Sequence, residues 1–164
     1  MGALIFFPAL VVAASIAAPW SLEVGRDEKT WEHVATLGVE SSNEIAGEYA
    51  TRKVRPQLAF TCTPGGDGTI SVWLDWRRFI SSFNTEVGIK ADDRELLLVN
   101  WGVDKSNRIT RPRSVSDAGE VIAYLAGATS VQVEVIPYSA SLIAVQFDIS
   151  GIDEALKALS AKCT

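Results

Sequence analysis

Residues 57–74 read Gln57-Leu58-Ala59-Phe60-Thr61-Cys62-Thr63-Pro64-Gly65-Gly66-Asp67-Gly68-Thr69-Ile70-Ser71-Val72-Trp73-Leu74. Leu58, Phe60 and Cys62 alternate with small or polar residues. Ile70, Val72 and Leu74 do the same on the far side of a Pro/Gly-rich break. Period-two alternation marks a strand with one buried face, and Pro64 to Gly68 is turn chemistry, so the stretch predicts a β-hairpin. Similar signals continue downstream. Val87 and Ile89 mark a short strand, and Asp92-Asp93-Arg94 a polar turn. Leu96 to Trp101 is a continuous apolar run, the pattern of a strand buried on both faces at the centre of a sheet. Arg108 to Arg113 forms another short strand. Val131, Val133 and Val135, then Ile143, Val145 and Phe147, form an antiparallel pair around the Pro137-Tyr138-Ser139 turn.

Two helices complete the pattern. The first is capped by Ser114 or Ser116, carries Asp117 and Glu120 early, ends at Gly127 and buries Val121, Ile122 and Leu125. The last opens on Ser150-Gly151-Ile152-Asp153, a capping-box signature with Asp in place of Glu. Its apolar face is Ile152, Ala155, Leu156, Leu159 and Cys163. Strands and turns with two helices predict an α+β domain over residues 57–164, built as an antiparallel sheet or sandwich. Residues 18–56 carry weaker signals. Trp31, Val34 and Leu37 stand among charges, leaving a short helix or an edge strand open, and the segment reads as irregular.

Residues 1–17 read as a signal peptide. Ala3 to Ala18 is uncharged, interrupted by Pro8 and Ser15, and too short for a membrane span of roughly 17–25 residues. Ser15-Ile16-Ala17 fits the small-x-small cleavage rule. The run lacks the usual preceding Lys or Arg, and retention as an anchor is the alternative. Export makes the two cysteines a pair: an oxidising compartment and no third thiol predict a Cys62–Cys163 disulfide. Closing so long a loop is worth on the order of 4–5 kcal/mol in the chain-entropy model.

The 164-residue chain has a net charge of −5 and a pI near 4.9, which argues against nucleic acid as a partner. Charge is segregated. Glu23 to Glu48 holds seven acids against Arg26 and Lys29, while Lys105, Arg108, Arg111 and Arg113 form a run without an acid. That run reads as a solvated loop, with docking of an acidic partner as the alternative.

The layout from about residue 56 to 163 resembles the VasI/TagO-like family of exported proteins associated with bacterial type VI secretion. Pro56-Gln57-Leu58 enters the strand that ends in Cys62. Val87-Gly88-Ile89-Lys90-Ala91-Asp92 precedes a Trp101-bearing strand. Val121-Ile122-Ala123-Tyr124-Leu125 precedes two strands, and Phe147-Asp148-Ile149-Ser150-Gly151-Ile152 leads to Ala155-Leu156 and Cys163. The family's Arg before its Ile-Asp pair is absent at Val87-Gly88-Ile89. The resemblance implies an accessory role in a secretion or envelope assembly and carries over no catalytic residue.

Chemistry-bearing constellations are sparse. His33 is the sole histidine and no nucleophile elbow accompanies it. One histidine with two paired cysteines does not make a zinc site. Asp92-Asp93 reads as a solvated turn rather than a calcium grip. Gly65-Gly66-Asp67-Gly68 lacks the Lys-Ser/Thr ending of a phosphate loop. No cofactor or metal is expected. Trp73 and Trp76 beside Arg77 and Arg78 form the candidate binding patch, because Trp and Arg dominate interface hot spots; packing of Trp73 on the N-terminal segment is the alternative. The sequence thus predicts a periplasmic or secreted, non-enzymatic domain that binds a protein partner. A periplasmic inhibitor or ligand-binding module, resembling lysozyme inhibitors, is the second reading. Neither needs a stable membrane span after signal cleavage.

Overall fold

The computed structural model describes residues 16–27, 30–49 and 52–164. The expected signal peptide lies outside the described residues, apart from Ile16 and Ala17. Among the described residues, no helix is long and apolar enough to cross a membrane.

Nine strands form one antiparallel sheet. They are β1 (Ser21–Arg26), β2 (His33–Glu40), β5 (Gln57–Cys62), β6 (Ser71–Asp75), β7 (Thr85–Ala91), β8 (Leu97–Val103), β9 (Ile109–Arg111), β10 (Ser130–Val135) and β11 (Ile143–Asp148). Their spatial order is β1-β2-β5-β6-β9-β8-β7-β10-β11. A two-stranded ribbon, β3 (Ile45–Ala46) with β4 (Lys53–Val54), links β2 to β5. The sheet curls until its far strand meets its beginning. The Ser42 N–H donates to the Gln146 carbonyl at 2.7 Å, and Asn43 bridges Ala144 and Gln146.

The helices α1 (Val115–Leu125) and α2 (Ile152–Cys163) fill the inside of this curl, α1 against β6 and α2 against β2 and β5. Inward positions follow the alternation: Ala35, Leu37 and Val39; Leu58, Phe60 and Cys62; Val72 and Leu74; Val87, Ile89 and Ala91; Val131, Val133 and Val135; Val145 and Phe147. Each large aliphatic or aromatic side chain buried here contributes about 1.5–3 kcal/mol. Ala118, Val121 and Leu125 meet them from α1, and Ile152, Ala155, Leu159 and Cys163 from α2.

The expected disulfide is present. Cys62 and Cys163 are bonded, with Cα atoms 5.7 Å apart and 101 residues between them in sequence. Both are buried. Ser114 caps α1 by accepting from the Asp117 N–H, and Gly127, at φ 71°, turns the chain out of the helix. The last turn of α1 has no basic residue of its own. Arg94 supplies the missing donors, reaching the carbonyls of Tyr124 and Ala126, where a cation complements the helix C-terminus.

Three expectations are corrected. Residues 18–56 are not irregular: β1 and β2 pair from Ser21↔Gly38 to Arg26↔His33, and β2 pairs with β5 along its length. Ala35, Leu37 and Val39 are the inward triplet, but Ala35 is too small to register as an apolar point beside Trp31 and Val34. Leu97–Val103 is buried on one face only. Leu98 is 56% exposed, because both described helices lie inside the curl and no described element covers the outer face at this strand. Ser150 does not cap α2. Gly151 occupies that position without a side-chain bond, while Asp148 receives the Ser150 N–H and Asp153 receives the Gly127 N–H.

Asp92 lies in an exposed turn, as the sequence predicts, and acts there as a latch. It sits at φ 45°, and its carboxylate accepts from the N–H and hydroxyl of both Thr129 and Ser130. The Ser130 N–H, then that of Thr129, hold the Asp92 carboxyl below the ordinary aspartate range.

Two outcomes follow from these anchors. Cys163→Ser is expected to lower unfolding stability by about 2–5 kcal/mol, read as a shifted denaturant midpoint, with the remaining Cys62 thiol unreactive until the protein unfolds; an unchanged midpoint would remove the bond from the stability account. For Asp92 the folded pKa lies below the unfolded one. Its stabilisation is therefore complete above the unfolded value and is lost as pH falls through the folded value, in the region below about pH 4. Asp92→Asn should lower the melting temperature at neutral pH and flatten its fall on the acid side, measured by melts across pH 2–7.

Candidate functional site

The four residues of the expected Trp/Arg patch do not form one surface. Trp76 is fully buried, and its indole N–H donates to Thr110 Oγ1 at 3.0 Å. The reason is register. Trp76 lies two residues past Leu74, and its backbone N–H bonds the Arg108 carbonyl, so the inward alternation of Val72 and Leu74 continues one step beyond β6. Arg77 pairs with Glu40 at 2.9 Å. Arg78 donates to the Ala46 carbonyl at 2.8 Å and to the Phe79 carbonyl. Both guanidiniums are used locally to tie the end of β6 to β2 and β3.

Trp73 behaves differently. It is half-buried on the outer face of β6, where it lines a groove of about 580 Å³ together with Asp27, Thr30, Val34, Thr36, Thr61, Ser71, Lys105, Ile109 and Arg111. That volume is in the usual range of ligand sites, roughly 300–1,000 Å³. The β1–β2 loop bounds the groove through Asp27 and Thr30, and the β8–β9 turn through Asp104 and Lys105.

Strand register orders the floor. Thr36 pairs with Thr61, and Thr61 with Ser71, so three hydroxyl side chains form a row across β2, β5 and β6. The neighbouring row is Gly38, Ala59 and Trp73. The β6–β9 register of Leu74↔Thr110, continued by one step, sets Arg111 opposite Trp73. Adjacent strands are roughly 4.8 Å apart, so the hydroxyl row and the indole together present a flat, regularly spaced surface.

The acids and cations of the groove differ in availability. Asp27 accepts from the Thr30 N–H, and Asp104 accepts from Ser106 and the Ile109 N–H, so both are engaged in shaping their turns. Lys105 and Arg111 make no ion pair among the described residues. Of the basic run, Arg108 pairs with Glu48 at 3.1 Å. Arg113 lines a separate cleft with Asn100, Trp101, Asp117 and Glu120. The run is therefore divided among three places, and only Lys105 and Arg111 face the groove.

His33 is exposed at the start of β2 and outside the groove lining. Among the described residues, no cluster of His, Cys, Asp and Glu could hold a metal ion. Thr36, Thr61 and Ser71 were not singled out by sequence reasoning. Their signal is positional, as outward residues of alternating strands level with Trp73. Trp31, 73% exposed in the β1–β2 loop at φ 60°, was also unassigned.

The architecture defines a class of small antiparallel α+β domain whose last helix is tied to the sheet by a disulfide. No protein-family model and no curated protein sequence matches the chain. Among solved structures it is similar to the crystal structure of invasion associated protein B from Bartonella henselae, at 16% identity and a TM-score of 0.51, over 87% of this chain and 92% of that one. This likeness shows the fold.

Trp20, Trp76 and Trp101 are buried, whereas Trp31 is exposed and Trp73 half-buried. A Trp31→Phe/Trp73→Phe double variant is expected to emit further to the blue and to resist acrylamide, while the parent is quenched in part. Equal quenching of both proteins would mean that the indoles assigned to the core are accessible.

Proposed function

We propose that this chain is an exported, non-enzymatic ligand-binding domain of the bacterial envelope, and that the groove around Trp73 is its recognition surface. The observation that carries this reading is the combination in one concavity of a half-buried indole with a row of hydroxyls and two cations that, among the described residues, have neither hydrogen-bond nor ion-pair partners. Fixed aromatic area with a few placed polar groups is how ligand sites are built. A disulfide between the only two cysteines supports an oxidising location, periplasmic or secreted. The VasI/TagO-like layout supports an accessory role in the envelope, with type VI secretion as its narrower form. Burial of Trp76 and local use of Arg77 and Arg78 move the weight from a flat protein-docking patch to a concave ligand site.

The test is retention of envelope material, wall and protein together, on the immobilised full chain, compared with Trp73→Ala and with a Lys105→Glu/Arg111→Glu double variant. Both variants are expected to lose most of the retained material while keeping the parent's melting profile. Retention unaffected by either would move the recognition surface away from the groove.

A further inference from the structure

Resting on the reading of the groove as the recognition surface, the geometry points to its ligand class: an acidic saccharide, a chain of pyranose rings carrying carboxylates. Three features converge on it.

The first is the floor. Trp73 has no ring partner and no cation over its face among the described residues. Its indole N–H makes no hydrogen bond there either. The C–H face of a pyranose is apolar, and laying it on an indole removes both surfaces from water without requiring either to lose a hydrogen bond.

The second is the hydroxyl row. Thr36, Thr61 and Ser71 each offer a rotatable O–H that both donates and accepts, and none is committed to a partner among the described residues. Sugar hydroxyls have the same dual character. Side chains of this kind match them without fixing a charge.

The third is charge. The groove's acids are held in turns, while Lys105 and Arg111 are unpaired among the described residues and stand on the same side of Trp73 as β9. Arg111, set opposite the indole by strand register, is positioned for a carboxylate on the sugar that stacks there. A guanidinium binds a carboxylate through two parallel N–H bonds. Lys105, at the turn, supplies a second point charge for the next residue of the chain.

The same floor disfavours an extended peptide. Peptides add to sheets through exposed edges, where backbone groups are free. The strands under the groove, β2, β5, β6 and β9, each have a neighbour on both sides, so they offer side chains and no ladder of main-chain donors.

The experiment is calorimetric titration of the full chain with tetragalacturonate, its fully methyl-esterified counterpart, and poly-glutamate. Tetragalacturonate is expected to bind saturably. Trp73→Ala and Arg111→Gln should each weaken it by about tenfold, and so should esterification, equivalent to about 1.4 kcal/mol. Lys105→Gln lies on an exposed turn, where it does not threaten folding, and should weaken binding by a smaller factor and reduce its salt dependence. Equal binding of the ester overturns the acidic assignment. Binding of poly-glutamate without tetragalacturonate, sensitive to the same residues, overturns the saccharide class and leaves the groove as the site. No binding of any probe, with envelope retention still dependent on Trp73, also overturns the saccharide class alone. No binding together with Trp73-independent retention overturns the ligand class and the groove reading.

Discussion

One-sided burial is the constraint on which the rest of this structure depends. A nine-stranded antiparallel sheet has two faces, and among the described residues there are only two helices to cover them. Both go inside the curl. The inner face therefore becomes a single core running from Ala35 and Leu37 through Phe60, Leu74 and Trp76 to Val133 and Phe147. The outer face carries no helix among the described residues, and outward residues such as Leu98 are left exposed. A sheet can be solvated on one side when its outward residues are polar or sparse, and here they are threonines, serines, glutamates and glutamines, interrupted by Trp73 and a few aliphatic residues. An indole kept on the wet face of such a sheet contributes little to the core. Its placement is understandable if something other than folding uses it.

Much of the fold was legible because alternation survives wherever inward residues are large. The β5–β6 hairpin, the β10–β11 pair and both helices follow directly from Leu58/Phe60/Cys62, Ile70/Val72/Leu74, the valines of 131–135 and the spacing of Ile152, Ala155 and Leu159. Legibility failed where the inward residue is small or the outward one is apolar. Ala35 hid β2, since a methyl group beside Val34 and Gly38 gives no contrast. Leu96 and Leu98 made β8 look buried on both sides, because periodicity reports hydrophobicity and not the presence of a covering layer. Which face receives the helices is decided by connections and the sheet's curl, which no local window contains.

The candidate site was legible only in part, for a related reason. Proximity in sequence grouped Trp73, Trp76, Arg77 and Arg78, whereas strand register separates them: Trp73 faces out, Trp76 faces in, and the two arginines turn back to Glu40 and Ala46. Counting alternate residues from Leu74 would have placed Trp76 inside. The true neighbours of Trp73 come from β2, β5, β9 and the β8–β9 turn, and no spacing along the chain reveals them. The basic run 105–113 was visible as charge, but its division between the groove, Glu48 and the cleft beneath α1 is set by the pairing of β9 with both β6 and β8.

The disulfide and the groove lie on opposite sides of the same strands. Cys62 points inward from the end of β5 and is tied to α2, while Thr61, its immediate neighbour, points outward into the hydroxyl row. The helix held by that bond packs behind β2 and β5, the strands that carry Thr36 and Thr61. Fixing the inner layer therefore fixes the spacing of the outer row. A surface that must match hydroxyls at set intervals gains affinity chiefly by not having to be ordered when the ligand arrives. The covalent tie at the C-terminus would then serve recognition as well as stability, because the strands it braces are the ones whose outward residues form the groove floor.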